Sequence, residues 1–281
     1  MAVGVARGDV ERAGRRAAGH RAFHGLTRGG LVGKGVVYLL IGWLAVRIGM
    51  GDGGGEEADK GGALQTVAGG PGGTVVLWAL VVGFAGLALW RFAESAYGQP
   101  VPEGHKATKR LASFARGVFY GVSCAAILVF VLGGGATSSD QQSKEYTARA
   151  MAEPGGRWLV LAVGAGFVGW GIGNVVNALR RKFLEELDTA RMGRRVRGAV
   201  KTLGIVGRSA RGISFGAIGV FLAHAALTFD AGKAKGLDGT LREFAGTPAG
   251  PWALVAVALG LVTYGVYAFC EARWRRVETV R

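Results

Sequence analysis

Lys34-Gly35-Val36-Val37-Tyr38 recurs twice along the chain, as Arg116-Gly117-Val118-Phe119-Tyr120 and as Arg211-Gly212-Ile213-Ser214-Phe215. A proline follows the three cations after 37, 38 and 37 residues, at Pro71, Pro154 and Pro248. Twelve residues beyond each proline stands a glycine (Gly83, Gly166, Gly260), and 23 residues beyond it stands Glu94, Asn177 or Glu271. Landmarks that keep their spacing through three copies indicate an internal repeat, and an internal repeat decides the fold.

Apolar stretches give each copy of the repeat two membrane spans. Five stretches lack Asp, Glu, Lys and Arg and approach or exceed the roughly 20 residues that cross a bilayer: 61–90, 117–139, 158–179, 212–229 and 244–270. A sixth candidate, 31–50, is weaker because its uncharged stretch is only 12 residues long, from 35 to 46. Lys34 and Arg47 stand at the ends of that stretch, where long side chains can reach the headgroup layers. Because it aligns with two clear spans, we count it as a span.

The sequence therefore predicts an all-α membrane protein with six transmembrane helices, arranged as three tandem αα-hairpin repeats about a pseudo-threefold axis. The predicted segments are a basic tail (1–25), repeat 1 (26–98, spans 31–50 and 74–93), repeat 2 (109–180, spans 113–133 and 157–179), a basic loop (181–202), repeat 3 (203–274, spans 207–228 and 251–271) and a tail (275–281). We expect a short helix in each hairpin connection, at 63–68, 146–151 and 241–245. The landmark proline is expected in the first turn of each returning span.

The basic residues predict the orientation of the spans. One set of loops and tails carries 26 Lys and Arg residues and the other set carries 7. The positive-inside rule places the first set, with both termini, on the cytoplasmic side of the cell membrane. A formal net charge of +15 would suggest nucleic-acid binding in a soluble protein. Here the charge lies in the connections between spans, so we expect no nucleic acid.

The repeat resembles a known family, domain of unknown function 1206, which comprises actinobacterial-type membrane proteins with three copies of a two-span unit. The resemblance rests on residues 34–42 and their two weaker echoes, and on Gly62-Ala63-Leu64 before Pro71-Gly72. It covers about 26–273. It implies the fold and a membrane location but no activity, so it transfers no functional residues.

The repeat landmarks also supply the main candidate site. Two triplets lie near the predicted cytoplasmic interface: the cations Lys34, Arg116 and Arg211, and the polar residues Glu94, Asn177 and Glu271. A ring of these six residues could gate a central path or hold an anion. The alternative is that they are interfacial ion pairs and anchors that fix the depth of the helices.

Three further polar residues fall inside predicted spans. Arg47 and His224 share one position of the repeat, and Asn174 lies one helical turn before Asn177. An intramembrane ionisable group is a functional candidate, although Arg47 can reach the headgroups and His224 and Asn174 can serve helix packing. The sequence offers no catalytic motif, no metal-ligand spacing and no cofactor fingerprint. We therefore expect no enzyme, no metal and no cofactor.

Two functions remain open from the sequence. The first is a structural, lipid-associated or partner-binding helix bundle, and the second is a small transporter or channel along the pseudo-threefold axis. The bilayer is the one partner that the sequence implies. The basic stretch from Arg180 to Arg211, with Phe183, Leu184 and Leu187 among its charges, could form an amphipathic helix on anionic lipid at the cytoplasmic face. The alternative is a solvated loop.

Overall fold

A computed structural model describes residues 21–51, 57–98, 106–135, 138–245 and 250–275, and within these ranges the chain forms helices and no β-strand. The helices are α1 (Arg21–Gly49), α2 (Lys60–Ala68), α3 (Gly73–Tyr97), α4 (Ala107–Val129), α5 (Ser139–Ala152), α6 (Gly156–Leu179), α7 (Arg194–Thr228), α8 (Leu237–Ala245) and α9 (Gly250–Trp274). A π-helical turn, Phe130–Gly134, extends α4. Six helices, α1, α3, α4, α6, α7 and α9, are long and apolar enough to cross a membrane. The six spans and the α-helical class are confirmed.

Each repeat contributes two long helices joined through a short one, α2, α5 or α8. We call the end of the bundle that carries these short helices the hairpin end. The opposite end, where α1 begins and α9 ends, is the basic end. Residues 1–20 of the predicted basic tail (1–25), the residues after 275 and Pro248 lie outside the described residues, and residues 21–25 already belong to α1.

The landmark prolines precede the returning helices instead of starting them. Pro71 and Pro154 lie in turns two residues before α3 and α6 begin. Between each proline and its helix stands a glycine, Gly72 or Gly155, with φ of 73° or 79°. Other residues rarely adopt this left-handed conformation, so the Pro-Gly pair sets the turn and the helix starts after it. The predicted first-turn position was wrong by two residues.

The six long helices form a ring that is open at one place. Going round it, α4 packs on α3, α3 on α1, α1 on α9, α9 on α7, and α7 on α6. The three repeats therefore follow one another round a central axis, as the predicted pseudo-threefold arrangement requires. Helices α4 and α6, the two long helices of repeat 2, barely touch. We call the gap between them the portal.

The contact between α6 and α7 depends on glycine. Where α6 crosses α7, a Cβ on Gly171 would lie 2.6 Å from the carbonyl oxygen of Gly212, and a Cβ on Gly219 would lie 2.6 Å from that of Gly164. Only glycine lets the two backbones approach so closely. The ring is therefore firmly closed on the α7 side of α6, and its opening is confined to the other side.

Three aspartates close the hairpin end in a cycle. Asp59 accepts from the backbone N–H of Ser139, Asp140 from that of Gly236, and Asp238 from that of Ala58, each at 2.7 Å. Each repeat thus holds the start of the next repeat's short helix, and the third holds the first. Asp59 also caps its own helix by accepting from Gly62 N–H at 3.0 Å. We call Asp59, Asp140 and Asp238 the aspartate ring.

The first part of the linker between repeats 2 and 3, up to residue 193, does not form the amphipathic helix that its composition suggested, whereas residues 194–202 of the predicted basic loop are already helical as the start of α7. Two short 3-10 turns, Lys182–Glu186 and Thr189–Arg191, lead directly into α7. Phe183 and Leu187 are buried in the protein, and Phe183 packs edge-on against Tyr267 with ring centroids 5.5 Å apart. The apolar side chains are already covered by protein, so they are not available to lie on a membrane.

Candidate functional site

A cavity of about 610 Å³ lies inside the ring of helices, toward the basic end. All six long helices and the turn Lys182–Glu186 contribute to its lining. Along α6 it extends from Asn177 to Val163, a distance of about 20 Å, which carries it past the middle of that helix. Six cations line it: Lys34, Arg91, Arg116, Arg208, Arg211 and Arg275. Among the described residues, only two carboxylates do so, Glu186 and Glu271.

One side of the cavity is a chain of ion pairs, which we call the paired wall. Glu271 accepts from Lys34 Nζ at 2.6 Å and also from Arg275. Arg275 continues to Glu186, with its Nη2 2.8 Å from the carboxylate. Burial disfavours the charge of Glu186, but four guanidinium groups, first that of Arg275, outweigh it and lower the pKa of this carboxyl to about 2. With two cations, Lys34 and Arg275, and two carboxylates, Glu186 and Glu271, the paired wall carries no net charge.

A second buried pair stands beside the paired wall. Arg91 donates from Nη1 to Glu94 at 2.7 Å, and Ser113 Oγ lies 3.1 Å from the same oxygen. The ring of Trp90 contacts two guanidinium groups, with Arg91 Cζ at 4.4 Å and Arg275 Cζ at 4.5 Å from its centroid. This stacking fixes both arginines at the cavity surface.

Three cations of the lining have no carboxylate within 4 Å in the described part of the chain: Arg116, Arg208 and Arg211, which we call the unpaired guanidinium groups. Arg208 has a buried Nε with no hydrogen-bond partner among these residues. Such buried donors are normally satisfied by protein, water or ligand. These three groups give the cavity an excess of positive charge.

Arg211 is held in place by aromatic rings. Its Nε donates to the Tyr38 hydroxyl at 2.8 Å, and its Cζ lies 4.9 Å from the centroid of Trp170 and 5.2 Å from that of Tyr264. Phe215 adds a further ring at 5.1 Å. Cation–π contacts keep the guanidinium oriented without neutralising its charge.

The portal gives this cavity a sideways opening. Gly166, Gly169 and Gly173 of α6 line the cavity, and a Cβ added to any of them would meet nothing within 4 Å. Only 22% of the α4 span and 17% of the α6 span is buried, against 44–56% of the other four. The cavity therefore opens between the two helices whose surfaces face outward most.

The hairpin end of the cavity is covered. Lys60, the first residue of α2, reaches from the aspartate ring to α4, where its Nζ donates to Ser123 Oγ at 2.7 Å. The same Nζ lies 4.2 Å from the ring centroid of Phe119, a cavity-lining residue. Burial first, and Arg211 second, lower the pKa of Lys60 to about 8. Phe119 and Lys60 thus separate the cavity from the aspartate ring.

Five of the six residues of the predicted charge ring line the cavity: Lys34, Arg116, Arg211, Asn177 and Glu271. Glu94 lies behind the lining, buried and bonded to Arg91 and Ser113. The residues do not pair symmetrically, because Lys34 takes Glu271 while Arg116 and Arg211 have no acid. That this set binds a ligand stays a prediction.

The three intramembrane candidates do not form one site. Asn174 lines the cavity, and its Nδ2 donates to the Trp170 carbonyl at 2.8 Å. Arg47 is half-buried near the end of α1, and His224 is exposed on α7, and neither lines the cavity. The shared repeat position of Arg47 and His224 therefore gives them no shared site.

Sequence reasoning missed four charged residues of the lining: Arg91, Glu186, Arg208 and Arg275. Arg208 precedes Arg211 by three residues, and that spacing on a helix could have placed it on the same face. Glu186 and Arg275 were assigned to a loop and a tail, and only the tertiary fold brings them to the cavity. Among the residues that the structure describes, no group of three or more His, Cys, Asp or Glu could hold a metal ion.

Comparison with known proteins gives a family and one curated relative. The family model described as Domain of Unknown Function (DUF1206) matches three times, at 29–98, 111–181 and 206–275. The uncharacterized protein YxxB of Bacillus subtilis (strain 168) is 33% identical over 248 residues, which cover 86% of this chain and 88% of the relative. No solved structure matches the chain.

Proposed function

The chain belongs to the DUF1206 family, whose description names no activity, and from that premise we propose that it binds an anionic amphiphile. In this proposal the charged headgroup enters the cavity and contacts the unpaired guanidinium groups. The apolar tail leaves through the portal and remains among the acyl chains of the bilayer. The observation that carries the proposal is the combination of a cationic cavity with a gap between α4 and α6, the two apolar helices with the smallest buried fraction.

The charge of the cavity supports the anionic part of the proposal. Cations in the interior of a bundle are costly unless they pair with an anion or reach water. Arg116, Arg208 and Arg211 lack an acid in the described protein, so a bound anion would relieve this cost. Guanidinium groups suit the task because their planar array of N–H donors matches the oxygens of a phosphate or carboxylate.

The portal supports the amphiphile part. A small soluble anion needs an aqueous route, whereas a lipid needs a gap between helices at the depth of the acyl chains. The gap between α4 and α6 runs between two apolar spans. It is lined by glycines at which an added Cβ would meet no other atom within 4 Å. Glycine at these positions leaves space that a hydrocarbon chain could occupy.

The direction of the bundle and its location belong to the same proposal. The excess of Lys and Arg at the basic end supports a cell-membrane protein with both termini in the cytoplasm. The headgroup would then come from the cytoplasmic leaflet, which is rich in anionic lipid. No catalytic role is proposed, since the lining is dominated by paired or stacked cations and not by a nucleophile with a base.

Transport along the axis is the second candidate, and one observation favours it. The cavity reaches beyond the middle of α6, as far as Val163, and Asn174 and Asn177 line it nearer the basic end. Against an open channel stand Lys60, Phe119 and the aspartate ring, which cover the hairpin end. Transport would require this cover to open, so binding is the simpler proposal.

Lipid retention tests the proposal. The protein is placed in nanodiscs of equal parts phosphatidylglycerol and phosphatidylcholine with identical acyl chains, extracted into a mild detergent, and its retained lipid is counted by native mass spectrometry. We expect the wild type to retain phosphatidylglycerol preferentially, and Gly169→Leu, which fills the portal, to lose most of it. The matched control is Gly198→Leu on α7, where a side chain also meets nothing within 4 Å. Retained lipid that mirrors the nanodisc composition would overturn the proposal.

A further inference from the structure

The number of unpaired cations in the cavity indicates how much negative charge the headgroup carries, and not only that its charge is negative. Six cations line the cavity, and three carboxylates are bonded to them: Glu94 to Arg91, Glu186 to Arg275, and Glu271 to Lys34 and Arg275. Among the residues that the structure describes, three positive charges of the lining remain. A headgroup with one negative charge would leave two of them uncompensated inside the bundle, where an isolated charge is costly.

The unpaired guanidinium groups approach the cavity from two helices. Arg116 lies on α4 beside the portal, and Arg208 and Arg211 lie one turn apart on α7. Arg211 uses its Nε for Tyr38, so its two terminal nitrogens are the donors left for a ligand. Arg208 keeps a buried, unpartnered Nε. Three separate guanidinium groups suit a group with several terminal oxygens.

A positively charged part of a headgroup finds no free carboxylate among the described residues of the lining. Both lining carboxylates already accept from Arg275, and Glu271 accepts from Lys34 as well. Two of the aromatic rings in the lining, Trp170 and Tyr264, already stack on Arg211. A zwitterionic headgroup would therefore bury an ammonium without a carboxylate to pair with it.

Building on the proposed function, we infer that the ligand carries a phosphomonoester or diphosphate headgroup with two or more negative charges and no positive charge. A terminal phosphate carries about −1.5 to −2 charge at neutral pH and offers three acceptor oxygens. It can accept from guanidinium groups on both sides of the cavity at once, in the bidentate geometry that arginine favours. A phosphodiester has one charge and two free oxygens, and so leaves part of the cluster unsatisfied.

The test compares headgroups on identical acyl chains. Nanodiscs of phosphatidylcholine with a minor share of phosphatidic acid, or of phosphatidylglycerol, report relative affinity by native mass spectrometry. Inorganic phosphate and pyrophosphate are added in separate arms, since the same chemistry could come from a soluble anion. We expect phosphatidic acid to bind about tenfold more tightly than phosphatidylglycerol. The preference should grow from pH 5 to pH 7.5, because a phosphomonoester loses its second proton near pH 6.

Arg116→Gln is the decisive variant, because Arg116 has no carboxylate in the described structure and the change breaks no ion pair. It should lower affinity for phosphatidic acid about tenfold and reduce the preference over phosphatidylglycerol. Arg195→Gln, on an exposed position of the same helix as Arg208, should change neither.

The outcomes separate the inference from the proposed function. Equal binding of phosphatidic acid and phosphatidylglycerol, both above phosphatidylcholine, would overturn the inference and leave the proposed function standing. No preference for either anionic lipid would overturn both. If pyrophosphate displaced phosphatidic acid at the same concentration, the headgroup chemistry would be supported and the lipid origin overturned.

Discussion

The two ends of the bundle use carboxylates in opposite ways. At the hairpin end, the three members of the aspartate ring each accept a backbone N–H of the next repeat at 2.7 Å, so the cycle obeys the threefold repeat. At the basic end, carboxylates bind cationic side chains, and the bonds do not repeat. The first arrangement holds three units together, and the second leaves positive charge facing a cavity.

One pair marks where the symmetry at the basic end fails. Lys34 of repeat 1 is bonded to Glu271 of repeat 3. By the same rule, Arg116 would bind Glu94, and Arg211 would bind the residue at position 177. Glu94 is instead taken by the neighbouring Arg91, and position 177 is an uncharged asparagine.

Two departures from the repeat, Arg91 beside Glu94 and an asparagine at position 177, therefore leave Arg116 and Arg211 without a carboxylate. The portal lies in the same repeat as the asparagine, between α4 and α6. The repeat is kept where backbone hydrogen bonds build the fold and is broken where the candidate site lies. Removing a carboxylate is therefore expected to have different consequences at the two ends.

The largest effect is expected from Glu271→Gln. This change leaves Lys34 and Arg275 without their shared carboxylate inside the bundle. Removing one partner of a buried ion pair costs about 3–5 kcal/mol. The free energy of unfolding, measured by titration with a denaturing detergent, should fall by about 3–5 kcal/mol. The double variant Lys34→Met/Glu271→Gln should recover part of the loss, because the neutral pair no longer buries an unpaired ammonium.

The control for this measurement is an exposed ion pair at the same end. Asp188→Asn removes a partner of Arg191, whose side chain is 79% exposed, and should change stability by less than about 1 kcal/mol. If Glu271→Gln were as mild as this control, the paired wall would be solvated, and the argument from buried charge would fail for the whole cavity.

A smaller loss is expected at the hairpin end. Asp59→Ala removes the acceptor of two backbone N–H groups, those of Gly62 and Ser139, and should lower the free energy of unfolding by about 2–3 kcal/mol. Asp140→Ala, at a half-buried position with one backbone partner from the next repeat, should cost about 1 kcal/mol.

The aspartate ring is expected to have a structural role only. Its variants are therefore also tested for lipid binding, which should not change. Asp59→Asn keeps one acceptor oxygen and should lose less stability than Asp59→Ala. Its preference for anionic lipid should match that of the wild type. A changed preference in Asp59→Asn would mean that the ring and the cavity are coupled, which would favour the transport candidate over simple binding.

The repeat and the apolar stretches were sufficient to predict the fold class, because membrane spans are long, local and periodic. Part of the lining was also within reach, since Lys34, Arg116 and Arg211 are landmarks of the repeat. The carboxylates that pair with the cations of the lining could not be predicted from the sequence. Whether Glu94 binds Arg116 or Arg91 depends on side-chain geometry between α3 and α4, which spacing does not encode. The aspartate ring was missed because its members occupy different offsets from the landmark prolines.

The smallest predicted effect concerns Lys60, which lies between the two ends. Its pKa is lowered from 10.5 to about 8, first by burial and then by Arg211, while Asp59 opposes the shift. Between these values the unfolded chain binds more protons than the folded one, so stability contributed by this residue rises with pH.

Relative to Lys60→Met, the wild type should gain about 1 kcal/mol in free energy of unfolding between pH 7.5 and 9. The methionine variant cancels the titration of the other lysines and tyrosines, which both proteins share. A difference that stays constant over this range would mean that Lys60 titrates as a hydrated side chain. The amine would then not be buried over Phe119, and the hairpin end would be open to water, which would remove the contrast between a closed end and a cavity end.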